Sequence, residues 1–176
     1  MASFTERIVG AAKLDVRVYE EVEADRGATG QAMAVVLLAS LSGGIGAVGL
    51  GSVGLSGFAF AGIAALVGWG SWAFLTYVIG TRLLPEPGTR ADVGELLRTT
   101  GFAQAPGILR IVGALAGVGP FILAIVSIWM IVAMVIAVRQ ALDFTSTFRA
   151  VGVVLVGWVI SVLITLALLG VGAGVG

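Results

Sequence analysis

The sequence predicts an all-α integral membrane protein, a bundle of about five transmembrane helices with a short N-terminal cytoplasmic amphipathic helix. Three observations predict it. Of the 176 residues, 59% are hydrophobic and 11% are charged, against about 25% charged in soluble domains. A soluble fold cannot hide that much apolar surface, because a domain of about 150 residues still exposes roughly a third of its chain's area. The charges are also clustered, leaving residues 27–81, 111–138 and 150–176 without one. Finally, the 27 glycines suit helices that approach closely in lipid. The ten basic and ten acidic residues cancel, so the basic excess of a nucleic-acid binder is missing. High hydrophobicity excludes disorder.

The N-terminal arm, residues 1–30, is the cytoplasmic amphipathic piece. Phe4, Ile8, Ala11, Leu14, Val18 and Val22 follow helical spacing and make one apolar stripe. Asp15 interrupts the stripe, which predicts two short helices with Asp15 as the N-cap of the second. Glu20, Glu21, Glu23 and Asp25 make the second half acidic. The stripe fits either packing on the inner ends of the chain's own spans or docking of a protein partner.

The transmembrane domain, residues 31–176, divides into five spans. The gap 27–81 is too long for one helix of about 20 residues and splits near Leu55-Ser56-Gly57, giving spans 31–55 and 58–79. Pro85 and Pro87 make the next loop irregular at first. Asp92 and Glu95 then resemble a capping pair opening a helix from Val93 to about Gln104, lying in the inner interface. Gly117-Val118-Gly119-Pro120 breaks the next apolar stretch, giving spans 102–119 and 120–138. The first of these is short, with Pro106 near its start and Arg110 inside it, so full crossing and re-entry both remain open. Residues 150–170 form the last span. With the N-terminus inside, the inner side holds Arg7, Lys13, Arg17 and Arg26, then Arg82, Arg90 and Arg98, then Arg139 and Arg149. The outer loops and the tail hold no Lys or Arg, as the positive-inside rule requires. The charged first 30 residues lack the apolar core of a signal peptide. Nor is there a glycine after Met1 or a C-terminal cysteine to suggest lipidation.

Polar groups within the spans are few. Arg110 lies about 12 Å in from Phe102 at helical rise; its stem either snorkels inward or contacts a phosphate or carboxylate, such as a lipid headgroup. Gln104 and Gln140 are candidates for lipid or partner contact, or for hydrogen bonding between helices. Gly113 and Gly117 form a GxxxG packing pair, as do Gly170 with Gly174 and Gly172 with Gly176, and Pro106 is a helix breaker. No Asp, Glu or His sits deep in a span, which disfavours proton-coupled or cation transport. Without His or Cys, the usual ligands of haem, zinc and iron–sulfur centres are missing, and so are disulfides and His-dependent catalytic pairs. We expect no catalytic, cofactor or metal residues, and no enzyme activity.

Several stretches resemble the Yip (Ypt-interacting protein) domain family, in its prokaryotic branch. They are Leu14-Asp15 with Tyr19-Glu20-Glu21-Val22-Glu23-Ala24-Asp25, Ala28-Thr29-Gly30-Gln31-Ala32, and Thr76-Tyr77-Val78-Ile79-Gly80. Further on come Glu95-Leu96-Leu97-Arg98, Gly101-Phe102-Ala103-Gln104-Ala105-Pro106-Gly107, and Ala137-Val138-Arg139-Gln140-Ala141-Leu142-Asp143. The resemblance covers about residues 14–162. It implies a five-span helical domain with a cytoplasmic N-terminus, in the cell membrane of a prokaryote. Eukaryotic relatives act with small GTPases through long cytosolic arms; the arm of about 30 residues here does not carry that over. The expected function is therefore non-catalytic organisation of membrane or partner proteins, including as an accessory subunit of a larger complex. The alternative is a small-solute or lipid-handling transporter or pore. The expected partners are membrane lipids and other membrane proteins or further copies of the chain, and not nucleic acid. The orientation is testable because the background has no cysteine: Arg90→Cys should be protected from an impermeant maleimide added outside, and Ser56→Cys should react. Outside labelling at position 90 overturns the orientation.

Overall fold

The computed structural model describes residues 2–48, 55–114 and 119–173, which contain helices and no strand. Two short helices come first, α1 (Phe4–Ala12) and α2 (Val16–Ala24). The bundle follows: α3 (Thr29–Val48), α4 (Leu55–Val78), α5 (Val93–Phe102), a 3-10 helix (Ala105–Ala114), α6 (Gly119–Ala141) and α7 (Thr147–Ala173). Four helical stretches, Arg26–Gly46, Ser56–Leu83, Gly119–Ala141 and Thr147–Ala167, are long and apolar enough to cross a membrane. Their outward faces carry Phe60, Ile63, Phe121, Ile128, Leu155 and Leu163, each more than half exposed. An apolar exterior of this extent is stable only against lipid.

Local chemistry sets the ends of the elements. Ser3 and Glu6 form a capping box on α1, and Asp92 and Glu95 form one on α5 with both bonds at 2.8 Å. Asp15 caps α2 by accepting from the Arg17 amide at 3.1 Å, as the sequence predicts. Helix α1 ends in a Schellman motif, with the Leu14 amide donating to Ala11 and the Asp15 amide to Gly10. The motif places Leu14 at φ 62, a conformation usually left to glycine. Helix α6 ends the same way, with Asp143 at φ 53.

Boundaries differ from the sequence reading by a few residues. Leu55 and Ser56 are already in α4, so the chain does not break at residues 55–57; α3 is described to Val48, and residues 49–54 lie outside the described residues. Glycine, serine and apolar residues fill this whole stretch, and no proline or charge marks a helix end. The last span starts at Thr147 rather than Ala150, because Thr147 to Arg149 form the first turn of α7 at the level of the polar loops.

Helix α5 also departs from expectation. It does not lie flat in the interface but inserts among α2, α3, α4 and α6, burying Leu96, Arg98, Thr99, Thr100, Gly101 and Phe102. The hydroxyls of Thr99 and Thr100 donate to carbonyls one turn back, so their burial leaves no unpaired group. Pro106 cannot donate an amide, and the helix tightens there into 3-10 geometry, with the Gly107 amide donating to Gln104 at 2.8 Å.

The path of this segment follows from its neighbours. Gly101 packs beside Ala32, Gly107 beside Ala39, and Gly113 beside Gly46, so the segment runs parallel to α3. Helix α3 climbs about 21 Å between Ala32 and Gly46 at about 1.5 Å per residue. Fewer residues cover the same height from Gly101 to Gly113, because a 3-10 helix advances about 2.0 Å per residue. Gly113 also packs against Leu123 and Gly119, so α6 starts at the far end and runs back. The chain thus makes five lengthwise passes, of which the third is the short one. Charged loops and the arm gather at one end, called here the charged end.

The parallel contact is unusually close. A Cβ on Gly46 would overlap the Arg110 carbonyl oxygen, whereas a Cβ on Gly44 would meet nothing within 4 Å. Gly46→Ala should therefore destabilise the bundle by about 2 kcal/mol, as overpacking does. Gly44→Ala should be neutral or stabilising by up to about 1 kcal/mol through helix propensity. Thermal unfolding in detergent, followed by size exclusion, reads both; equal effects would exclude the close approach.

Candidate functional site

Two places concentrate the polar chemistry. The first is the cap at the charged end. The apolar stripe of the arm does not face outward: Ala11, Tyr19 and Val22 share one core with Ala32, Val35, Phe102, Ala133 and Ala137. The hydroxyl of Tyr19, fully buried, donates to the Ala11 carbonyl at 3.0 Å, and burial pushes its pKa up.

Two buried arginines fix the arm. Arg7, 2% exposed, donates to Glu21 and Asp25 at 2.8 Å each and to the Gln31 side chain at 2.9 Å. Arg7 holds the carboxyls of Glu21 and Asp25 below their usual range. Arg98, 5% exposed, reaches from α5 to the carbonyls of Val22 and Glu23. These carbonyls belong to the last turn of α2, where the helix itself supplies no donors and a cation is favoured. Arg98 therefore caps a helix more than 70 residues away in sequence.

The loops of the charged end are tied in the same manner. Glu86 accepts from the Thr145 amide and hydroxyl at 2.9 and 2.8 Å and from the Ser146 amide at 3.2 Å. It thereby supplies the N-terminus of α7 with a carboxylate. The Thr145 hydroxyl, then the neighbouring amides and Arg149, lower its pKa. Arg139 donates to the Phe144 carbonyl at 3.2 Å, bracing the end of α6. Gln140 donates to Glu20 at 3.1 Å. It thus lies at the charged end and touches the arm, away from Gln104 and Arg110.

The second place is inside the bundle. Arg110 does not run back to the charged end. Its side chain lies against Gly43 and its carbonyl against Gly46, in the far half of α3. The 3-10 rise carries it farther from Phe102 than an α-helix would, and the charged end is about 21 Å from Gly43, beyond the reach of a snorkelling stem. Its Nη2 stands 3.5 Å from the Ser127 hydroxyl, the outer limit of a hydrogen bond. Gln104 and Arg110 line one cavity of about 350 Å³ together with Ser40, Trp69 and Trp72. They also line a second of about 270 Å³ with Ser127 and Trp158. Trp69 donates to the Leu97 carbonyl at 3.1 Å, but the buried indole nitrogen of Trp72 has no partner among the described residues.

Of the packing residues, Pro106 is buried at the start of the 3-10 helix and Gly113 lies between Gly46 and Leu123. Gly117, Gly174 and Gly176 are outside the described residues, and so are the tail glycine pairs that need the last two.

A family model for the Yip1 domain matches residues 16–169. The chain belongs to the Yip1 domain family. The match runs from the first turn of α2 into α7 and takes in the surroundings of Arg110 and the charged-end cap apart from α1 with Arg7 and Ala11. No curated protein matches the chain, and no solved structure does. A Yip1 domain with several long apolar helices is a multi-pass membrane protein. The Gly-Phe-Ala-Gln-Ala-Pro-Gly stretch that carries the resemblance gains a physical sense here. Gly101 and Gly107 let the backbone close on α3 and α6, Pro106 changes the helix type, and Gln104 opens on the cavity.

Sequence reasoning missed Arg7, Arg98, Glu86 and Trp72. Arg98 stands in a short polar helix and Glu86 in a charged loop by composition, and only their tertiary partners distinguish them. Arg7 carried one signal, since it precedes an arm rich in Glu and Asp.

Glu23 makes the arm sensitive to pH. Burial, then the charges of Asp143, Glu95 and Glu20, raise its pKa from 4.5 to about 7, with Arg98 acting in the opposite sense. The folded arm then holds a proton that the unfolded arm has lost, so its stability falls as pH rises from about 4.5 to 7 and is level above that. Glu21 and Asp25 act oppositely, losing their contribution as pH falls through their lowered values. Amide hydrogen exchange of α2, corrected for intrinsic rates, should show protection declining between pH 5 and 7, and Glu23→Gln should remove that decline. A decline of the same size in the variant excludes Glu23 as its source.

Proposed function

We propose that this Yip1 domain is a non-catalytic organiser of membrane or partner proteins, with its charged end in the cytoplasm and its C-terminal end outside. In this reading it acts as an accessory subunit of a larger membrane complex or on further copies of itself. The observation that supports it is the folded cap. Arg7 and Arg98 pin the arm to the bundle and its apolar stripe is spent on packing. Its polar side, with Lys13, Arg17, Glu20 and Arg26, is exposed. A rigid surface of mixed charge suits polar, orientation-specific contact with a partner, and a basic lipid-binding face is not what this surface offers. Asp92 and Glu95 bond each other's backbone, which commits these two carboxylates to capping α5.

The runner-up, a pore or transporter for small solutes or lipids, is favoured by one observation, that Gln104 and Arg110 line the same cavity. Gln140 does not join them, and no Asp or Glu lines that cavity.

Mild-detergent purification from native membranes tests the organiser. The chain should migrate with a companion protein or a second copy at fixed stoichiometry. Reversing Arg17 and Arg26 to Glu should release that companion while the thermal midpoint is unchanged. A monodisperse monomer, or retention after charge reversal, overturns the reading.

A further inference from the structure

The guanidinium of Arg110 is the one charge placed within the bundle rather than at its charged end. It offers five N–H donors, and among the described residues its one side-chain hydrogen-bond contact is the Ser127 hydroxyl, itself donating to the Leu123 carbonyl at 2.7 Å. No carboxylate can reach it from adjacent sequence, since no Asp or Glu stands between Asp25 and Glu86 or between Glu95 and Asp143. A charge at this depth normally has a partner. Two further polar groups surround it without one. The Trp72 indole N–H is buried and unbonded, and the Gln104 amide makes no side-chain hydrogen bond among the described residues. Both line the two cavities that flank the Arg110 side chain.

The cavities open onto the lipid-facing surface. The smaller is bordered by Ile131 and Trp158, 59% and 61% exposed, so an apolar chain can leave the polar pocket without crossing a polar surface. The larger, about 350 Å³, is within the usual range of ligand pockets.

We infer that Arg110, Trp72 and Gln104 form a binding site for an anionic phospholipid, with the headgroup phosphate on the Arg110 guanidinium and an acyl chain along Ile131 and Trp158. A guanidinium matches phosphate oxygens in a two-pronged arrangement, and the indole and amide supply neutral donors to the remaining oxygens. The pocket holds no carboxylate to balance a cationic headgroup, so a lipid of net charge −1 is preferred to a zwitterionic one carrying the same phosphate. The site is independent of the organiser reading, since it uses no residue of the arm.

Native mass spectrometry of the purified chain, with dioleoyl phosphatidylglycerol competed against dioleoyl phosphatidylcholine, tests it. The wild type should retain one phosphatidylglycerol with a preference of about tenfold or more, the ratio that about 1.4 kcal/mol of discrimination against the unbalanced cationic headgroup supplies. Arg110→Gln should abolish the preference, and Arg110→Lys should keep part of it. Brominated phosphatidylglycerol should quench tryptophan fluorescence in the wild type and less so in Trp158→Phe. Should Arg110→Gln fail to fold, Trp72→Phe and Gln104→Leu should each lower the amount of phosphatidylglycerol retained. Undiminished preference in Arg110→Gln, or undiminished retention in both other variants, overturns the site. So does displacement of the lipid by millimolar inorganic phosphate, which would assign the pocket to a free anion.

Discussion

A charge left unpaired in hydrocarbon costs at least a few kcal/mol, and an unpaired backbone group there costs several. These two penalties organise the chain. They sort its charges to one end of the bundle, where they pair with each other or with helix ends. Arg98 is the clearest product: a cation buried on α5 that serves the carbonyls left over by α2. Glu86 does the converse for the free amides at the start of α7. Each buried charge at this end thus completes a helix terminus or an ion pair. Glu23, which does neither with its carboxyl, holds its proton up to about pH 7.

The same penalty governs the third pass. An ordinary helix cannot span the height of α3 in the residues available between Gly101 and Gly113, and Pro106 removes an amide from the middle of the stretch. The 3-10 helix answers both, being longer per residue and hydrogen-bonded within itself. It is held by close contact rather than by apolar burial alone, since Gly46 admits the Arg110 carbonyl. That contact also positions the Arg110 side chain, because it fixes the backbone from which the guanidinium extends. Packing geometry and the pocket therefore depend on one glycine.

The two polar places differ in character. At the charged end the buried arginines, Arg7 and Arg98, are engaged, and specificity lies in the pattern of exposed charge. Around Arg110, among the described residues, the guanidinium and the Trp72 indole have N–H donors without partners, which is the imbalance that a bound anion removes.

Much of this was legible in the sequence. Composition and the charge gaps gave the membrane class. The capping pair Asp92 and Glu95, the Asp15 N-cap and the apolar stripe of the arm were readable because caps and periodicity are local. The break expected at residues 55–57 falls inside α4 because glycine, serine and apolar residues there leave no proline or charge to mark a helix end, and the burial of α5 is not legible because its threonines look polar by composition. Gln104 and Arg110 could be singled out, but not that they share a cavity while Gln140 lies beside Glu20. Sequence determines which groups are costly to bury; only tertiary structure decides who pays the partner's part, because Arg98 and Val22, or Arg110 and Gly46, meet through packing of helices far apart in the chain.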